Sequence, residues 1–429
     1  MATTQLNKST VEQKLVWYNI TCTYLFFLSG SLYVTGCLLG WLLISILLLR
    51  WNVRPNTITE PKVVPAIIWL WVAMMLIMLF TLFIAHANWD LGLSKTIKST
   101  IGWMKGWALF PIFIFIGYFA NINEKMLVRA ICKVSFYTLI FAIVTLLIYL
   151  VGVPGEVYVS PLKAIGGPGV EFFSVSLFGI NPETGLPRWR FFGPWAPAAG
   201  FMSCIYLVLC LQEQNKRWRI LGIAGCVVMI LLSQSRAGLF IFICLLPFTL
   251  LFDKALKLQS LLLLGFMLPI FIILSDPISQ LLFDHFEQIK QSRPDSTRVR
   301  AALADIAIQR WQSEAPIWGH GIVERGPKVV ESMQIGSHHT WYGLLYVKGS
   351  VGLLCLALPM FATSCYLLYL SFWRANARIA LALMVVFWLY SFYENLEILA
   401  FIFWPALIYI GLSLKPCPAN KETLTYSPV

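Results

Sequence analysis

Long apolar runs alternate with short polar breaks along almost the whole chain. Runs of roughly 16–25 apolar residues fall near 65–86, 101–119, 128–151, 196–212, 219–234, 237–252, 258–275, 341–370, 379–393 and 396–414, and about 20 helical residues cross a bilayer's hydrocarbon core. The first apolar block, Trp17 to Leu49, is 33 residues long. As one helix it would measure about 50 Å against a core of about 30 Å. A division near Ser29–Gly36 into two short spans is therefore expected, which gives about 12 crossings in all. A single tilted helix is the alternative, and it would move only the N-terminal tail to the other side. The expected fold is an all-α membrane protein with a large, partly helical outer loop before the tenth helix. Residues 1–275 would hold helices one to nine, with an irregular outer loop at 152–195. Residues 276–340 would form the late loop with an amphipathic helix, 341–414 the last three helices, and 415–429 a tail.

Composition supports this reading. Of the 429 residues 59% are hydrophobic and 12% charged, whereas soluble domains carry about 45–50% and about 25%. That excludes a soluble domain, a disordered chain and a coiled coil. The formal charge of +12 resolves by side. One set of loops carries 17 bases and 6 acids, among them Arg50, Lys125, Arg129, Lys216, Arg374 and Lys415. The other set carries the remaining 15 bases and 14 acids. Short loops rich in Lys and Arg stay in the cytoplasm, so both termini are expected there. The charge thus records membrane orientation, and no nucleic-acid partner is expected; the lipid bilayer is. Met1–Lys14 is polar and no small-residue cleavage site follows the first apolar block, so no cleavable leader is expected. Cys22, Cys132, Cys204 and Cys244 sit in apolar runs and read as small core residues rather than disulfide partners.

Two long loops face outward, Gly152–Trp195 and Asp276–Gly336. The first is rich in Gly and Pro and ends in the basic and aromatic patch Arg188-Trp189-Arg190-Phe191-Phe192-Gly193, a composition that favours turns over a compact domain. In the second, Asp295 or Ser296 could cap a helix over Arg298–Gln312, with Val299, Leu303, Ile306 and Arg310 on one face. That helix is expected to lie on the outer interface and to end before Pro316 and Gly319-His320-Gly321. Arg300 and Arg310 either snorkel to headgroups or bind substrate. Arg236, in the short turn Ser233–Gly238, has little loop in which to drift into water and is held at the mouth of the bundle.

His338 and His339 open the long run that follows Gly336-Ser337. If Ser337 caps that helix, His338 stands in its first turn, where the helix dipole disfavours imidazolium and keeps a neutral base available. His86, His285 and His320 read as structural. Glu394 and Glu397, in the tight turn Tyr393–Glu397, could orient a histidine or pair with an arginine, or simply be solvated. A divalent-metal site needs clustered carboxylates, which the outer segments lack, so neither metal nor cofactor is expected.

Gly319-His320-Gly321, then Ser337-His338-His339-Thr340, then Gly349-Ser350-Val351-Gly352 give the chain a resemblance to the O-antigen ligase and Wzy polymerase superfamily. Arg310, Trp311, Pro316, Gly319, Gly321, His338, Gly349 and Gly352 follow the order of the family's motifs. Ser235–Gly238 resembles its Ser-Arg-Ala/Gly turn, and Arg190–Gly193 its Arg-x-x-Gly segment. One position departs, because the family often has Asn where this chain has His339. The resemblance implies a multi-pass protein of a bacterial inner membrane whose outer loops are periplasmic. It implies transfer of a glycan from undecaprenyl diphosphate to a sugar hydroxyl, on lipid A core for a ligase or on a second lipid-linked glycan for a polymerase. Arg236 and Arg298, with Arg190 assisting, would hold the diphosphate, and His338 would activate the acceptor. Arg300, Arg310, His339 and Glu394 would contact substrate. A small-anion transporter is the rival from another class. It would show ionisable groups near the bilayer midplane, where Lys105, Lys133 and Lys348 are the main candidates and all are expected nearer the helix ends.

Overall fold

The computed structural model describes residues 10–53, 64–181, 185–255, 294–330, 332–335 and 339–416. The span expected at 258–275, the start of the late loop, and His338 lie outside the described residues.

The N-terminal block divides as its length requires. Helices α1 (Val11–Thr21) and α2 (Thr23–Leu28) rise to a reversal at residues 29–31, and α3 (Leu32–Val53) returns. Thr10 opens α1 with a capping box closed by Gln13. Arg50 near the end of α3 pairs with Glu12 in the first turn of α1, which fixes the two as an antiparallel pair. The returning helix is 22 residues long, a full span rather than the short one expected.

Helix α4 (Ala66–Asn88) is followed by α5 (Leu93–Lys105) and α6 (Leu109–Phe119). The run expected at 101–119 is therefore broken around Gly106. Its first part belongs to an amphipathic helix, with Leu93, Ile97, Ile101 and Met104 exposed along one face. Helix α7 (Glu124–Leu150) leads into the first long loop, and α8 (Ala196–Cys210), α9 (Lys216–Ser233) and α10 (Arg236–Ala255) follow it. After α11 (Pro294–Glu314) the chain completes α12 (Thr340–Ser371), α13 (Ala375–Ser391) and α14 (Leu396–Ser413). Six of the described segments are long and apolar enough to cross a membrane, namely Leu32–Trp51, Ala66–Asn88, Leu93–Phe119, Glu124–Leu150, Thr340–Ser371 and Leu396–Ser413. Ala196–Cys210, Arg236–Leu245 and Ala375–Ser391 are shorter apolar helices.

Helix α14 is the hub, with side chains buried along nearly its whole length. It crosses α6 where Gly117 meets Gly411: a Cβ on Gly411 would lie 2.1 Å from the Ile114 carbonyl oxygen. Lipid gives apolar faces no reason to associate, so such close backbone approach is what holds the helices together.

The described parts of the two long loops meet at one end of the bundle. In the first, β1 (Glu156–Val159) pairs antiparallel with β2 (Ser174–Ser176), and β3 (Gly179–Ile180) with β4 (Pro187–Arg188). Phe173, Trp189, Phe191 and Phe192 are buried, so the loop is pinned into the bundle rather than loosely draped over it.

Helix α11 departs from expectation in two ways. It already includes Asp295 and Ser296, which therefore do not cap it. Its apolar stripe, Val299, Leu303 and Ala307, is buried against Val330, Ile335 and Tyr346, so it packs on protein rather than facing headgroups.

Helix α12 is broken at Gly349, whose φ of 64° and ψ of −165° lie in a region essentially reserved for glycine. The chain after α11 enters this break. The amides of His320 and Gly321 donate to the carbonyls of Tyr346 and Val347 at 2.8 and 2.9 Å, and those of Ser350 and Val351 donate to Pro316 and Ile317 at 3.0 and 3.3 Å. Backbone groups freed inside a membrane protein must find such partners, because no water supplies them. The Gly-x-Gly and Gly-x-x-Gly motifs thus meet at a splice: a Cβ on Gly319 would lie 2.5 Å from the Gly349 nitrogen, and one on Gly349 would lie 2.2 Å from the Ile317 oxygen. Gly349→Ala should lower thermal stability in detergent by several degrees or prevent folding. Gly102→Ala, in a helix with open space around it, should leave stability unchanged or slightly raised. Thermal unfolding of the two purified variants checks this.

Candidate functional site

At the loop end, three elements meet around the start of α12. The helix begins at Thr340 and is capped by His339, whose Nδ1 accepts from the Trp341 and Tyr342 amides at 3.2 and 3.4 Å. Ser337 is therefore not the cap, and the first-turn position expected of His338 does not follow. The cap has a chemical consequence. An imidazole that accepts at Nδ1 while neutral carries its proton on Nε2. Burial pushes the His339 pKa down to about 4, so the cap persists at neutral pH and the ring has no second lone pair for a proton.

Glu394 joins this cap to the other elements. Its backbone carbonyl accepts from Thr340 Oγ1 at 2.6 Å, and Oε2 accepts from the Trp195 indole at 2.8 Å. The side chain is only 5% exposed. Burial raises its pKa to about 7, against the opposing pull of the Trp195 hydrogen bond and of Arg300 and Arg188. Trp195 is placed by the first long loop, in which Trp189, Phe191 and Phe192 turn into the core. Arg188 donates to the carbonyls of Ser233 and Gln234 at 2.8 and 3.4 Å, closing the C-terminal end of α9.

The expected arginines are placed differently from one another. Arg190 donates to the Pro194 carbonyl at 3.2 Å and stands 3.9 Å from Glu156; burial lowers its pKa, opposed by Glu156 and Glu171. Arg236 is the exposed first residue of α10. Ser235 caps that helix, its hydroxyl accepting from the Gly238 amide at 3.2 Å. Arg298 and Arg300 are exposed on α11, and Arg300 reaches Glu394 electrostatically.

Arg310 is drawn inward instead. It bonds Glu314 at 2.9 Å, Glu324 at 2.7 Å and the Tyr346 hydroxyl at 2.6 Å. His320 bridges Glu314 at 2.7 Å and the Tyr346 carbonyl at 3.0 Å, stacked between Trp89 and Tyr346. Arg310 and His320 hold the Glu314 carboxyl below its usual range. This cluster ties α11 to the upper half of α12 beside the splice.

Sequence reasoning missed Trp195, Arg188 and Thr340. The order Gly193-Pro194-Trp195 immediately before α8 was the available signal for Trp195. Nothing local marks Thr340, whose role exists only because α14 starts beside it. Lys348, expected near a helix end, is instead 5% exposed and sits next to the break, within electrostatic reach of Glu397.

A carboxyl raised from an ordinary 4.5 to about 7 favours folding fully below about pH 4.5, an advantage lost as pH rises through 7. Between pH 5 and 8 Glu394→Gln should therefore show a smaller fall in melting temperature than the unmodified protein. Parallel thermal melts across that range test it.

Residues 220–357 match the O-Antigen ligase family model. The matched stretch contains Arg236, Arg298, Arg300, Arg310, both histidines and the Gly349 splice, whereas Arg190 and Glu394 lie outside it. No curated protein matches the chain. The matched domain, carried on a multi-pass helical bundle, supports the resemblance to the O-antigen ligase and Wzy polymerase superfamily.

Proposed function

We propose that the protein transfers a glycan from undecaprenyl diphosphate to a sugar hydroxyl at the loop end of the bundle. That end would be the periplasmic face of a bacterial inner membrane, with both termini cytoplasmic as the charge asymmetry suggests. The carrying observation is the match to the O-Antigen ligase family over the stretch that holds the arginines and the histidine pair.

In this reading the acceptor oxygen bonds to the anomeric carbon as the bond from that carbon to the phosphate oxygen breaks. The hydroxyl proton passes to His338, and the leaving lipid diphosphate carries the charge. Arg236 and Arg298 neutralise that charge with bidentate guanidinium contacts, assisted by Arg190. A single displacement inverts the anomeric centre, and guanidinium charge serves where a metal otherwise would. His339 supports the choice of His338 as base, since its lone pair is spent on the helix cap. Arg310, enclosed by Glu314, Glu324 and Tyr346, acts by holding α11 against the splice rather than on substrate. The acceptor is proposed to be lipid A core, as for a ligase, with a polymerase extending lipid-linked glycan as the alternative.

One observation favours a small-anion transporter: α12 is broken and Lys348 is buried at the break, as transporter sites are built. Here the break is filled by the backbone of residues 316–321, which leaves the glycosyl-transfer reading the stronger.

Incubating the purified protein with lipid-linked glycan and either lipid A core or further lipid-linked glycan decides the acceptor. Extension of neither, together with solute flux into liposomes, would reverse the order of the two readings. His338→Ala should cut transfer by about 100-fold or more without loss of folded protein; retained activity removes the base assignment. Arg236→Lys keeps charge but loses the fork, and donor KM should rise about tenfold.

A further inference from the structure

The cap of α12 and the turn before α14 carry polar capacity that the proposed donor site does not use. His339 commits Nδ1 to the helix cap, so Nε2–H is a donor, and among the described residues it has no hydrogen-bond acceptor. Glu394 commits Oε2 to the Trp195 indole. Among the described residues no hydrogen bond reaches Oε1, and it is not one of the enclosed side-chain oxygens left unpartnered, so it opens toward the surface although the residue is only 5% exposed.

The two groups sit on adjoining turns whose relation is fixed. Thr340 Oγ1 donates to the Glu394 carbonyl at 2.6 Å and accepts from the Leu396 amide at 3.1 Å. Beside them the turn presents aromatic surface. Phe392 is 51% exposed and Tyr393 42%, and the Phe392 ring stands edge-on to His339 at 5.8 Å between centroids.

A neutral donor, a carboxylate acceptor and an exposed ring face suit a pyranose, whose hydroxyls both give and accept hydrogen bonds and whose C–H face packs on aromatics. Phosphate fits them less well, since Glu394, with its pKa raised to about 7, is ionised in part at neutral pH and brings no positive charge of its own. We propose that His339, Glu394 and Phe392 form the acceptor subsite, binding a neutral sugar with Nε2–H and Oε1 on neighbouring hydroxyls and Phe392 beneath the ring. The assignment rests on the glycosyl-transfer reading, with the diphosphate held separately by the arginines. Because burial keeps His339 neutral, cap and donor coexist at neutral pH.

Substitutions can separate the cap from the donor. Asn and Ser both cap helices, but only Asn also projects an N–H outward as Nε2–H does. His339→Asn should keep acceptor KM within about twofold, whereas His339→Ser should raise it about tenfold with donor KM unchanged. Glu394→Gln should raise acceptor KM similarly. A shift in donor KM instead, or equal behaviour of the Asn and Ser variants, overturns the subsite.

A second measurement does not depend on transfer. Saturation-transfer NMR of the full chain with methyl glucoside and methyl galactoside should show contact in the unmodified protein that Glu394→Gln and Phe392→Ala abolish. Inorganic phosphate should not displace either glycoside. If the unmodified protein transfers nothing yet binds the glycosides through Glu394, the glycosyl-transfer reading fails and the sugar site stands. Glycoside contact that persists in both variants, or is absent from the unmodified protein, overturns the site.

Discussion

The arrangement of the loop end depends on backbone hydrogen bonds that cross the break in α12. A helix interrupted inside a membrane protein frees amides and carbonyls that lipid cannot satisfy. Here the amides of His320, Gly321, Ser350 and Val351 and the carbonyls of Pro316, Ile317, Tyr346 and Val347 satisfy one another. Only glycine fits at the crossing, because a Cβ on Gly319 or Gly349 would strike the opposing backbone. The break therefore acts as a fixed joint, and it binds the described part of the late loop to the helix that His339 caps.

Charge strengthens that joint from the loop side. Arg310 reaches Glu314 and Glu324 together with the Tyr346 hydroxyl, and His320 adds a second bond to Glu314. His320 reads as structural and Arg310 as a snorkelling or substrate-contacting residue, and both side chains are held by the protein's own acids. Among the described residues, the cap of α12 and the Glu394 turn are joined instead by Thr340. Glu394 depends on the fold in turn: the buried aromatics of the first loop place Trp195, and Thr340 places the turn.

Different parts of this arrangement were legible in the sequence to different degrees. Spans such as 66–88, 124–150 and 396–413 follow from apolar run length, since a bilayer selects for it directly. The reversal near Gly30 followed from a block too long for one crossing. The break around Gly106 did not, because Leu93–Lys105 is amphipathic and its apolar face runs into the apolar helix after it. The cap of α12 was misplaced to Ser337 because serine is a common cap and histidine an uncommon one. Helix α11 showed an apolar stripe, but a stripe does not say whether lipid or protein will cover it.

By itself the sequence determined the solvent and the domain: helices suited to lipid, and the motif order of the O-antigen ligase domain. These are sums over many residues, and neighbours along the chain are enough to fix them. Only the tertiary structure decided what each polar group is free to do. Hydrogen-bond capacity is exhausted pair by pair between residues far apart in sequence, as Glu394 with Trp195 and Arg310 with Tyr346 show. Folding ties Arg310 and His320 into the joint beside the break and sets the His339 cap and the Glu394 turn together through Thr340.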